Sequence, residues 1–134
     1  MSQENVDVAR RMWDAFNRRD LDAWLEGFDP DVAWHTARED PDAGVHHGRP
    51  GVMRYAEQWL DAYGDLRVDP VEVIDAGDEV LLWIRVTGHG GASGVAVDME
   101  QAQVLTFRDG RVAVGREYFD RAEAVEVAGL REEA

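Results

Sequence analysis

The stretch from Leu66 to Phe119, LRVDPVEVIDAGDEVLLWIRVTGHGGASGVAVDMEQAQVLTFRDGRVAVGREYF, is a series of valine-rich runs broken by turn residues. Leu66–Ile74, Glu79–Gly88, Val95–Phe107 and Arg111–Phe119 read as strands, separated by Ala76-Gly77-Asp78, the Gly88–Gly94 segment and Asp109-Gly110. Connections this short turn a chain straight back on itself, so the runs predict an antiparallel meander. Glycines such as Gly88, Gly94 and Gly115 are places where that sheet can bend.

Upstream the hydrophobic period changes. Val8, Met12, Ala15 and Phe16, with Val6, Ala9 and Trp13 beside them, recur at helical steps and predict an amphipathic helix over Glu4–Asn17. Asp20 opens a shorter helix with Leu21, Trp24, Leu25 and Phe28 on one face, ended by Asp29-Pro30-Asp31. Val32–Thr36 alternates as a short strand, and Ala37–Gly48 is a long loop, a candidate lid, with a brief strand at Val45–His47. Val52, Tyr55, Ala56, Trp59, Leu60 and Tyr63 mark a third helix; Arg121–Ala128 reads as a closing helix stopped by Gly129. Helices first and sheet afterwards leave each half with one apolar face to hide against the other. The predicted fold is therefore α+β: three N-terminal helices packed on a strongly curved, mainly antiparallel sheet, with about four long strands plus one or two short ones, forming a single domain over residues 1–134. A sheet bent that far makes a cone, and its mouth is where a ligand would sit.

Composition narrows the partners. Cysteine is absent, which removes disulfides, thiol nucleophiles and thiolate metal sites. A formal charge of −14, from 28 acidic against 14 basic residues, would repel a phosphate backbone, so no nucleic acid partner is expected. No apolar run approaches membrane-spanning length and the first residues do not read as an export signal, giving an expectation of a soluble, cytoplasmic protein with no membrane partner. His35, His46, His47 and His89 lack the spacing of zinc motifs, so neither a metal nor a cofactor is expected; His35 and His47 fall near the presumed mouth.

Strand alternation then selects site residues. Gly115, Glu117 and Phe119 share one face of the last run, and Gln101, Gln103, Leu105 and Phe107 share one face of the run before it. If the phenylalanines point into the cone, Glu117, Gln101 and Gln103 do too. A carboxylate there is desolvated and its pKa raised, as a general acid or base near neutral pH requires; the alternative is a Glu117 paired with an arginine or facing solvent at the rim. Trp13, Phe16, Trp24, Phe28, Trp34, Tyr55 and Trp59 fall on core-facing stripes. Of these, Trp13, Phe16, Trp34, Tyr55 and Trp59, with Thr36, Leu82, Ile84, Leu105 and Phe119, are the expected lining of a mostly apolar pocket. Trp83 and Arg85 lie on the opposite face, where a homodimer contact would shelter the tryptophan.

Several motifs together resemble a known family. They are Ala15-Phe16-Asn17-Arg18-Arg19-Asp20-Leu21-Asp22-Ala23-Trp24, Asp29-Pro30-Asp31-Val32-Ala33-Trp34, Gly48-Arg49-Pro50-Gly51-Val52, Asp75-Ala76-Gly77-Asp78-Glu79-Val80, Ser93-Gly94-Val95, Phe107-Arg108-Asp109-Gly110-Arg111-Val112 and Tyr118-Phe119-Asp120-Arg121-Ala122-Glu123-Ala124. Over nearly the whole chain the sequence resembles the SnoaL-like branch of the nuclear-transport-factor-2-like (NTF2-like) superfamily. The resemblance implies a cone-shaped α+β fold, frequent dimerisation through the outer sheet face, and any of several chemistries: ketosteroid isomerase, polyketide cyclase, scytalone dehydratase, limonene epoxide hydrolase or non-enzymatic binding. The positions where ketosteroid isomerases carry a general-base aspartate, a helix tyrosine and a second acid correspond to Thr36, Met12 and Gln103. The inward aspartate of limonene epoxide hydrolases corresponds to Glu117, in Arg116-Glu117-Tyr118-Phe119-Asp120, while their Arg-x-Asp partner has no counterpart near Met99-Glu100-Gln101.

Two functions stand open on these residues. One is a cofactor-independent enzyme of isomerase, cyclase, dehydratase or epoxide-hydrolase type, in which Glu117 transfers a proton and Gln101 or Gln103 orients an oxygen of a small hydrophobic substrate. The other is a non-catalytic ligand-binding or dimerisation module.

Overall fold

The computed structural model describes residues 2–40, 43–91 and 94–129, so Ser93 of the quoted motif and Pro41-Asp42 of the candidate lid lie outside the described residues. In chain order the elements are α1 (Ser2–Asn17), α2 (Leu21–Glu26), β1 (Phe28–His35), β2 (Val45–His47), α3 (Gly48–Ala62), β3 (Arg67–Ala76), β4 (Glu79–His89), β5 (Ala96–Arg108), β6 (Arg111–Tyr118) and α4 (Arg121–Val127). The strands form one six-stranded sheet in the order β2-β1-β6-β5-β4-β3. Every neighbouring pair is antiparallel except β1 with β6, which is parallel. Register shifts between Pro70 and Glu72 on β3, and between Thr106 and Phe107 where β5 meets β6, are the irregularities that bend such a sheet.

The inner face of the sheet and helices α1 to α3 bury one continuous apolar cluster that includes Val6, Met12, Trp13, Phe16, Trp24, Phe28, Val32, Trp34, Val80, Leu82, Ile84 and Leu105. Helix α1 is also tied to the edge strand β3. Asn17 Nδ2 donates to the Val68 carbonyl at 2.8 Å, and the Val68 N–H donates to Asn17 Oδ1 at 2.8 Å. One side chain thereby replaces the ladder partner that β3 lacks on its outer edge.

Two segments depart from the sequence reading. Phe28 and Asp29-Pro30-Asp31, expected to close α2, belong to β1 instead. Helix α2 ends two residues earlier, at Glu26 with Gly27 as its C-cap, and the Val112 N–H donates to the Gly27 carbonyl at 2.8 Å, drawing the chain into the sheet. Pro30 falls between Phe28 and Ala33, where the register with β6 shifts, so its missing N–H interrupts no ladder bond. At the other end β6 finishes at Tyr118, because the chain turns there into Asp120, whose carboxylate accepts from Ala122 N and Glu123 N and caps α4. Phe119, expected to point into the cone, is 39% exposed as a result.

The short helix α4 lies on the outer face. Ala124 and Ala128 pack there against Leu81, Ala102 and Val104, with Trp83 and Tyr118 beside them. Trp83 is half-buried within its own chain: its indole N–H donates to Glu100, and the Arg121 guanidinium sits 5.3 Å from its ring centroid. The tryptophan that suggested a dimer contact is therefore sheltered by α4 and a cross-strand neighbour.

Candidate functional site

Between the helices and the inner sheet face lies a hollow of about 60 Å³. That is small beside the roughly 300–1,000 Å³ of sites for drug-sized ligands. Its wall is mainly aromatic. Trp13 and Phe16 come from α1, Trp24 from α2, Phe28 and Trp34 from β1, and Tyr55 and Trp59 from α3. Their rings meet at angles rather than in one stack: Trp24 meets Phe28 at 83° and Phe28 meets Trp34 at 80°, with centroids 5.0 and 6.0 Å apart. Besides the Tyr55 hydroxyl and the indole N–H groups, the polar side chains on the wall are Glu117, Gln101 and Gln103, and among the described residues no basic side chain lines it.

Glu117 is 6% exposed and faces the hollow. The Trp34 indole N–H donates to its Oε2 at 2.6 Å, and the Tyr55 hydroxyl lies 3.1 Å from both carboxylate oxygens. Gln101 Nε2 approaches Oε1 at 3.5 Å, a weak contact. Burial pushes the Glu117 carboxyl up to about 7, against the pull of the Trp34 and Tyr55 hydrogen bonds, while the nearby Asp40 charge raises it further. The inward, desolvated carboxylate expected from alternation is present, and it pairs with donors rather than with an arginine. The Tyr55 hydroxyl is itself pushed well above the usual phenol range by burial and by the Glu117 charge.

Gln103 stands directly opposite Glu117 on the neighbouring strand and is 2% exposed. Its Oε1 accepts from the Trp13 indole N–H at 3.1 Å. Because an indole nitrogen only donates, this bond decides which way the amide points. The amide oxygen faces Trp13, and the NH₂ group is left without a protein acceptor among the described residues. Among the described residues, the Trp24 indole N–H is buried without a partner.

The remaining expected residues divide. Ile84 lines the hollow, with Val86 from the same strand face and Met99 from the face that carries Gln101 and Gln103. Leu82 and Leu105 are 0% and 1% exposed and face the same side, yet they are packed into the core and do not reach the hollow, which corrects their expected place on its wall. Thr36 is also off the wall, because its hydroxyl is engaged by the loop: Gly44 N donates to Thr36 Oγ1 at 2.8 Å. Trp24 and Phe28 read as core in the sequence and prove to be wall as well. Met99 could have been found by extending the alternation of Gln101 and Gln103 two residues back.

Gly115 turns out to have a purpose other than bending. A Cβ there would lie 2.1 Å from Cε3 of Trp34, so the indole lies flat on β6 at that point. At the mouth, His46 stacks on Tyr55 with ring centroids 4.3 Å apart, and an outer recess of about 240 Å³ includes Asp40, His46, Tyr55, Trp59 and Tyr63. Tyr55 and Trp59 are common to that recess and the inner hollow. Burial lowers the pKa of His46, and that of His35, which lines a surface cleft with Thr36 that shares Glu117 with the hollow. His47 is exposed, and His89 Nδ1 pairs with Asp65 at 2.8 Å.

No helix among the described residues is long and apolar enough to cross a membrane. No curated protein matches the chain. Among solved structures, Bal32a from a soil-derived mobile gene cassette is 30% identical, with 92% of this chain and 94% of that chain covered and a TM-score of 0.81. An NTF2-like protein of unknown function from Burkholderia pseudomallei is 25% identical, covering 93% and 97% of the two chains with a TM-score of 0.76. A structure from Sinorhizobium meliloti, named a candidate polyketide cyclase, is 25% identical over 83% of this chain and 93% of that one, with a TM-score of 0.67. The SnoaL-like domain family matches residues 9–115, a span that runs from α1 through the hollow's aromatic wall to Gly115. With that match and this curved sheet closed by helices, the chain belongs to the SnoaL-like domain family, within the NTF2-like superfamily.

Proposed function

We propose that the hollow binds a small, compact, oxygen-bearing apolar molecule and that Glu117 exchanges a proton with it. The observation that carries this reading is a buried carboxyl facing the hollow, pushed up to about 7 by that burial, directly opposite an amide whose NH₂ has no acceptor among the described residues. A group poised near neutral pH is populated both as acid and as base, the condition for efficient proton transfer. With a carbonyl oxygen on Gln103 Nε2, a carbon next to that carbonyl falls within reach of Glu117. The Glu117 carboxylate takes a proton from this carbon, the C–H electron pair becomes the C=C bond of an enolate, and the charge gathering on oxygen meets the Gln103 N–H. Return of the proton to a different carbon is an isomerisation; attack of the enolate carbon on a second carbonyl, whose oxygen takes the proton back from Glu117 as its π bond opens, is a cyclisation. Gln101 steadies Oε1, and the aromatic wall excludes water. The narrow hollow favours a second reading, a binding module that holds a small ligand without turnover.

Acetone, the smallest ketone with exchangeable α-protons, tests this in D₂O, with loss of those protons followed by NMR. Accelerated exchange that disappears in Glu117→Gln supports proton transfer. Exchange no faster than in buffer, or equally fast in the variant, removes it and leaves the binding module.

A further inference from the structure

Glu117 has two oxygens, and the neighbouring side chains treat them differently. Oε2 accepts from Trp34 Nε1 at 2.6 Å. Indole N–H groups donate and never accept, so the proton of a neutral carboxyl is disfavoured on that oxygen, since a hydroxyl oxygen is the poorer acceptor. Oε1 has no indole: the Tyr55 hydroxyl, 3.1 Å from both oxygens, donates or accepts and so suits either state, and the Gln101 amide is distant at 3.5 Å. Trp34 itself has little freedom. It is 3% exposed, stands in register with Gly115 on the parallel strand, and lies so close to that residue that a methyl group there would overlap Cε3 and Cζ3 at 2.1 and 2.2 Å. The edge-to-face contact with Phe28 restrains the ring further.

We propose that Trp34 is a positioning residue: laid flat on Gly115, its indole N–H pins Oε2 as an acceptor and confines the transferable proton of Glu117 to Oε1, beside Tyr55 and Gln101. Gly115 is the second half of the device, because any side chain there lifts the indole off the strand. The inference rests on Glu117 being the proton carrier, and it adds which oxygen carries the proton and what holds it there.

The test is an NMR titration of the full chain without ligand, with ¹³C-labelled glutamate and ¹⁵N-labelled tryptophan. In the wild type the Trp34 indole resonance should move with the same midpoint as the Glu117 carboxyl. Trp34→Phe keeps a ring but removes the N–H, and should raise the Glu117 midpoint by about one to two pH units, the worth of a hydrogen bond to a charged acceptor. Gly115→Ala keeps the N–H but displaces it, and should move the midpoint in the same direction. A merely structural Trp34 would lower the urea midpoint without moving the titration. An unchanged Glu117 midpoint in folded Trp34→Phe overturns the proposal; so does a Trp34 resonance that stays flat through the wild-type midpoint, which decides the matter even if both variants fail to fold. Because the titration needs no substrate, a chain that shows these shifts yet exchanges no acetone protons loses the catalytic reading only.

Discussion

Replacing Glu117 by glutamine should invert part of the pH dependence of stability. Burial raises the carboxyl from the ordinary 4.5 to about 7, a rise of about 2.5 units, which at about 1.4 kcal/mol per unit means that ionised Glu117 destabilises the fold by about 3 kcal/mol. The sign follows from proton counting. Between the unfolded and folded values the native chain still holds a proton that the unfolded chain has lost, so stability falls as pH rises through that window and levels off above it. From pH 5 to pH 8 this amounts to about 2.5 kcal/mol. Glutamine does not titrate, and its amide oxygen can still accept from Trp34. The variant should therefore lack this fall and be the more stable protein at pH 8. His35 and His46, whose pKa values burial lowers, act in the opposite sense, with stability rising as pH climbs through their window, but they are common to both proteins and cancel in the difference. Urea denaturation at pH 5 and pH 8 measures it. Parallel pH dependences in the two proteins would refute the reasoning, since Glu117 would then titrate as a solvated carboxyl.

Three further substitutions probe the scaffold, each by urea denaturation. Gly115→Ala should cost about 3 kcal/mol, because the new methyl meets a rigid indole ring at 2.1 Å. Gly27→Ala brings a methyl to 2.3 Å from Met12 Sδ, yet it should cost less than about 1 kcal/mol, since a thioether chain can swing aside and Gly27 already has an ordinary helical φ of −74°. Equal costs at the two positions would contradict this account. Asn17→Ala should lose about 2 kcal/mol by removing both hydrogen bonds that join α1 to β3, and hydrogen exchange should quicken at the Val68 amide. Asp120→Ala should cost about 1 kcal/mol through the α4 cap, with faster exchange at Ala122 and Glu123.

How far a residue could be read from the sequence depended on whether its position followed from neighbours along the chain. Glu117, Gln101 and Gln103 were legible because a strand's period of two carries orientation from one residue to the next. The same rule misplaced Phe119, for it assumes that the strand continues, and the cap at Asp120 ends it. Leu82 and Leu105 have the expected orientation but the wrong depth: alternation tells inside from outside and says nothing of where the packing leaves space. Gly115 was noticed as a glycine in a strand, while its reason, the Trp34 ring pressed on it, comes from a strand 81 positions earlier.

The sequence by itself determined the elements and their order, the helices' apolar stripes, the inner face of each long strand, and so the inward carboxylate, because these follow from periodicity and turn chemistry within short windows. Tertiary structure alone decided that Phe28 enters the sheet, that α4 shelters Trp83, and that Trp34 and Tyr55 converge on Glu117 while Trp13 turns the Gln103 amide toward the hollow. Those are contacts between residues far apart in the chain. Their geometry is set by how the sheet curves and how the rings fill the space it encloses, and no local pattern encodes that.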